Sequence, residues 1–190
     1  MQANTIHEMA GVLSHVEALY RPGDRQLAIA LFESLGCKVY ETDVKSPSGS
    51  FYISVHPHPT ERTLDNVLYL AEMPAEQKRL EDALRRRIEV DEELRTSRRL
   101  YGEMATDRPY VLSHIAVRYP TYEALDEVLN GLEERFSAEV RSRVTLKVFR
   151  PGDSPALGDS IQAFVYTDIA VAGISAFGQV FELAAYGEFS

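Results

Sequence analysis

Cysteine is nearly missing from this chain: there is one, Cys37, in 190 residues. A single thiol excludes an intrachain disulfide and makes a reducing compartment the default. Positive charge is also short, with 20 Lys and Arg against 29 Asp and Glu and a net charge of −9. That balance speaks against nucleic acid or an anionic membrane as partner, because neither would gain from counterion release here. No apolar run approaches the ~20 residues needed to cross a bilayer. The opening MQANTIHEMAGVL lacks the basic segment and long apolar stretch of a secretion signal. These absences together predict a cytoplasmic protein. Also missing are a Ser-His-Asp nucleophile motif, a phosphate-cradling glycine loop and a dinucleotide fingerprint. At 45% hydrophobic the chain still buries a real core, as one domain or as two small modules sharing one.

What is present is a repeat. VLSHVEALY at residues 12–20 returns as VLSHIAVRY at 111–119. After the first copy, Asp24 is placed to cap a helix on which Leu27, Leu31 and Leu35 recur, and Gly36 can close it. CKVYE, SFYISVH and DNVLYLAEM then read as strands, with SPSG as a turn. The second copy repeats the order. Thr121 caps a helix carrying Leu125, Val128, Leu132 and Phe136, and RVTLKVF, IQAFVYTDI and GQVFELAAY are strands. The expected fold is therefore α+β, with two tandem βαβββ modules at 12–73 and 110–187. Residues 74–109 form a helical connector, with Leu80, Leu84 and Ile88 on one stripe and charge elsewhere; a solvated helix is the expectation. RPGD occurs twice, at 21–24 and 150–153, and reads as turn chemistry.

Side chains alternate faces along a strand. Val16 and Ala18 oppose His15 and Glu17; Ile115 and Val117 oppose His114, Ala116 and Arg118; Phe181 and Leu183 oppose Glu182 and Ala184. Each apolar face suits packing against helices, and each opposite face carries a potential metal ligand. A histidine in a buried strand is costly unless hydrogen-bonded or ligated. Two imidazoles in the same register of a repeat, His15 and His114, with Glu182 make a candidate site for a divalent cation that keeps open positions for substrate or O₂.

With these residues in view, the chain resembles the vicinal oxygen chelate superfamily, which includes glyoxalase I and the extradiol dioxygenases. SHVEALYRPGDRQLAIALFESLGCKVYE is similar to its first strand and helix, and FVYTDIAVAGISAFGQVFELAAY to its closing strand pair. The resemblance implies metal ligands on the first and fourth strands of each unit, matching His15, His114 and Glu182. The fourth family position is occupied by Tyr69 in place of a carboxylate, and Glu72 lies one parity off. A His, His, Glu set looks more like the ring-cleaving dioxygenases and fosfomycin-resistance transferases than like four-ligand glyoxalase I. The metal expected is Fe²⁺, Ni²⁺, Zn²⁺ or Mn²⁺. The resemblance also implies that the modules form a curved mixed sheet around a cleft, built within one chain or across a homodimer.

Glu17, Arg118, Tyr69, Tyr52 and His56 share the pocket-facing parity. Arg118 could hold an anionic group, with Glu17 and Tyr52 as further substrate contacts; His56 or Tyr69 could move a proton or bond an oxyanion. The plainer reading pairs Glu17 with Arg118 and leaves Tyr69 filling space. In HPH at 56–58 the proline and the alternating faces argue against joint ligation, and His7 is read as bland. Cys37 is expected to pack as a small hydrophobe. Two functions lead, with a relic site in a structural or regulatory module as the third alternative. One is a metal-dependent enzyme (a lyase, isomerase or dioxygenase) acting on a small oxygen-chelating substrate. The other is a metal-free small-molecule or antibiotic-binding protein of the bleomycin-resistance type.

Overall fold

The structure, a computed structural model, describes residues 14–57, 66–153 and 158–186. His7 and His58 lie outside the described residues. The α+β fold is as expected, and each module contributes its own four-stranded mixed sheet. The first runs β1 (His15–Tyr20), α1 (Arg25–Ser34), β2 (Lys38–Lys45), β3 (Phe51–His56) and β4 (Val67–Glu72), in the sheet order β1-β4-β3-β2. The second has β5 (His114–Arg118), helices α4 (Tyr122–Asn130), α5 (Leu132–Arg135) and α6 (Ala138–Ser142), then β6 (Val144–Phe149), β7 (Ser160–Thr167) and β8 (Gln179–Tyr186). Its order, β5-β8-β7-β6, is the same. In both sheets the first strand pairs parallel with the last, and the other pairings are antiparallel.

Local chemistry accounts for the elements. Thr121 caps α4, accepting from the Ala124 N–H at 3.2 Å. Asp24 stands at the start of α1 but makes no cap bond, because its carboxylate is engaged by Arg143 at 2.7 Å. The second helix is broken into α4 and α5 at Gly131, yet Leu125, Leu132 and Phe136 all reach the core. The two RPGD segments fold alike: each Asp N–H donates to the Arg carbonyl three residues back, and Gly23 and Gly152 take φ of 93° and 94°. A positive φ at that third position demands Gly.

Alternation then builds one core from both modules. Ala18, Leu31, Phe32, Ile53 and Leu70 from the first pack in the same cluster as Leu125, Ala163, Val165, Phe181 and Leu183 from the second. Phe32 of α1 meets Phe181 of β8 edge to face at 5.2 Å. Tyr119 hydrogen-bonds the Leu35 carbonyl at the end of α1, and Leu19 and Val171 exchange backbone hydrogen bonds at 2.8 and 3.0 Å.

The connector differs from a single solvated helix. It is α2 (Ala75–Val90) and α3 (Glu92–Asp107), split at Asp91, whose carboxylate caps α3 through the Leu94 N–H. Leu80 faces solvent, while Glu81 is fully buried. No helix among the described residues is long and apolar enough to cross a membrane.

Candidate functional site

Register decides which side chains on a face become neighbours. In the first sheet His15 pairs with Val67 and Glu17 with Tyr69; in the second His114 pairs with Val180 and Ala116 with Glu182. Tyr69 and Glu182 therefore occupy equivalent places, each diagonal to the histidine that opens its module. The two modules use this geometry differently.

In the second module His114 Nε2 lies 2.9 Å from Glu182 Oε2, and His114 Nδ1 lies 2.8 Å from the Leu112 carbonyl. A carbonyl only accepts, so Nδ1 carries a proton and Nε2 is the nitrogen that shares one with Glu182. Part of the face is screened: a turn at Pro109–Val111, between α3 and β5, sets Tyr110 against Phe149 and Phe164, and Phe164 stands edge-on to His114 at 5.8 Å, while His114 and Ala116 stay exposed. Beside Phe164, Glu182 is 5% exposed, and burial raises its pKa against the opposing pull of His114. An expected consequence is an asymmetry between substitutions. Glu182→Gln keeps a donor for Nε2 and leaves the urea midpoint nearly unchanged. His114→Ala strands a buried carboxylate and costs about 2 kcal/mol.

In the first module the equivalent face is open. His15 sets its ring edge-on to Tyr69 at 5.4 Å, and Tyr69 stands 6.0 Å from Tyr52. The Tyr52 hydroxyl donates to Glu17 Oε1 at 3.1 Å, and burial, then the Glu17 carboxylate, hold that phenol above its ordinary pKa. Together with Thr42 and Val44 these four residues line a cleft of about 270 Å³. A second cavity of about 130 Å³ adjoins it at His15 and runs between β1 and β5. It is lined by Val16, Phe32, Val55, Leu68, Ile115 and Phe181, among others. Cys37 lies in its wall, with burial pushing the thiol up to about 12.

The structure thus gathers His15, Glu17, Tyr52 and Tyr69, and separately His114 and Glu182. Arg118 is in neither group, nor is it paired with Glu17: its guanidinium stands over the Tyr186 ring at 5.5 Å. His56 is buried beside Tyr40, 5.5 Å between rings, and does not line the cleft. Glu72 sits away from the cleft, at a pocket by Pro74. Among the described residues no group of three or more His, Cys, Asp or Glu stands where it could hold a metal ion, and His15, His114 and Glu182 are not brought together as one. Thr42 and Val44 escaped the sequence reading because it ended the strand at Glu41; their signal was the continued alternation Tyr40, Thr42, Val44. Compared with protein-family models, characterised proteins and solved structures, the chain matches nothing.

Proposed function

We propose that this chain binds a small organic molecule in the open cleft of its first sheet, and that the cleft does not depend on a divalent metal. The observation that carries this reading is the convergence of His15, Glu17, Tyr52 and Tyr69 on one concave space of about 270 Å³. Three aromatic rings at steep mutual angles and one carboxylate give such a space both apolar area and a directional polar group. The size, a little below the ~300–1,000 Å³ of drug-sized pockets, suits a small ligand.

A second reading, the metal-dependent enzyme, has one observation in its favour. The Leu112 carbonyl holds His114 Nδ1–H, which leaves Nε2 as the nitrogen available beside Glu182, the usual orientation of a ligating histidine. His15, the third donor, is engaged with Tyr69 instead.

Two measurements on the same purified protein separate the readings. A ligand screen followed by protein NMR is expected to move the signals of Tyr52 and Tyr69. Tyr69→Ala should weaken any hit at least about tenfold, and Arg118→Ala should not. Metal content by plasma mass spectrometry is expected to be far below one per chain, in wild type and in His114→Ala. Near-stoichiometric metal that disappears in both His114→Ala and Glu182→Ala would overturn the proposal in favour of the enzyme.

A further inference from the structure

The cleft and the cavity between the modules meet at one residue, His15. One is open and carries the Glu17 carboxylate among aromatic rings; the other is walled mainly by aliphatic and aromatic side chains. A ligand that fills only the cleft leaves the adjoining apolar space unused, and one that fills only the cavity leaves Glu17 without an ionic partner. Among the described residues the Glu17 carboxylate accepts from Tyr52 and is in no ion pair with Lys, Arg or His. It stands beside Tyr69 across the β1–β4 register, and the Tyr52 and Tyr69 rings are tilted by 69° to each other. A carboxylate flanked by two tilted phenol rings is the chemistry that receives an organic cation, by charge and through the negative faces of the rings. The net charge of −9 works in the same direction, drawing cations and repelling anions.

We infer that the ligand is an amphiphilic organic cation, its charged head at Glu17 between Tyr52 and Tyr69 and its apolar arm in the seam between β1 and β5. This rests on the cleft being the binding site and adds the class of molecule that enters it. The seam, about 130 Å³, matches a group the size of a benzene ring; an apolar cavity of ~150 Å³ takes up benzene. The arm passes His15 and comes to rest against Phe32 and Phe181. It is thereby sensed by both modules, because Ile115, Ala116 and Phe181 belong to the second.

The test uses four probes on the full chain: tetramethylammonium, benzyltrimethylammonium, benzyl alcohol and benzoate, followed by NMR shift titration. Benzyltrimethylammonium is expected to bind about tenfold or more tighter than tetramethylammonium, the difference being the burial of one ring. Glu17→Gln should weaken both cations about tenfold and leave benzyl alcohol unchanged. Ala116→Phe, at an exposed position on the seam wall, should remove the benzyl advantage and spare tetramethylammonium. Circular dichroism of both variants confirms that they fold.

If benzyl alcohol or benzoate binds as tightly as the cation, with binding lost in Tyr69→Ala but not in Glu17→Gln, the cation inference falls and the cleft reading stands. If benzyltrimethylammonium shows no advantage over tetramethylammonium, the seam is not the site of the arm. If no probe moves Tyr52 or Tyr69, the inference falls, and the broader ligand screen then decides the cleft reading by itself.

Discussion

Replacing Arg21 by Ala is expected to lower stability by about 3 kcal/mol, and replacing Leu80 by Ala by less than about 0.5 kcal/mol. On hydropathy alone the order would be reversed. Glu81 on α2 is fully buried, with the Arg21 guanidinium 3.7 Å away, the Gln77 amide donating at 2.9 Å, and the Ser175 hydroxyl also in contact. Arg21 also holds Asp82 at 2.7 Å. Beyond Ser175 the network continues through Arg85 to Asp168, then Arg143 and Asp24, and so reaches both modules. Removing the arginine leaves a buried carboxylate with two neutral donors, and the desolvation already incurred is no longer offset by a cation. The lower end of the range for a broken buried pair applies, because Arg21 keeps partial contact with water. Leu80 is 54% exposed, so truncating it removes little contact.

Urea unfolding at pH 7, with the transition slope held in common, measures both. Adding Glu81→Gln to Arg21→Ala removes the stranded charge and should recover most of the loss, a coupling that a double-mutant cycle isolates. Equal costs for Arg21→Ala and Leu80→Ala would mean that the connector docks through its apolar residues after all.

That contrast shows where sequence reasoning stops. Hydrophobic periodicity identifies an apolar stripe, but a helix can dock through charged residues when partners from other segments meet them, and those partners are Arg21, Asp168 and Ser175. Alternation along a strand fared better: His15 with Glu17, and His114 with Arg118, stand on the faces expected. Parity fixes the face and not the row. His56 and Tyr52 share a face, yet only Tyr52 reaches the cleft. Which row each residue joins follows from the pairing of Ser54 with Tyr69, set by how the chain returns from β3 to β4. Likewise the repeat makes the equivalence of Tyr69 and Glu182 legible. It does not show that Glu182 is buried while Tyr69 stays half-exposed. Cover is long-range information, carried here by Tyr110 against Phe149 and Phe164.

Phe181→Ala is the second substitution expected to have a large effect, about 4 kcal/mol, and it should loosen both modules together. Phe181 is 1% exposed and packs edge to face on Phe32, so the truncation opens a cavity under a helix of the opposite module. A repeat in sequence suggests two units able to unfold separately. The packing argues otherwise: Tyr119 and Arg135 of the second module hydrogen-bond the Leu35 and Ser34 carbonyls at the end of α1. Gly36, at φ 82°, lies where an added Cβ would come 3.3 Å from Val128. The buried side chains of both sheets belong to one cluster, and Phe32 of the helix beside the first sheet packs on Phe181 of the second. Hydrogen exchange gives the test through amides of Ile53 in β3 and Val165 in β7, both fully buried and in different sheets. In Phe181→Ala their protection should fall by the same free energy, as it must if one cooperative opening exposes both. Loss confined to Val165, with Ile53 keeping its wild-type protection, would show two independent modules joined by a connector. The seam between them would then be a surface that opens without global unfolding.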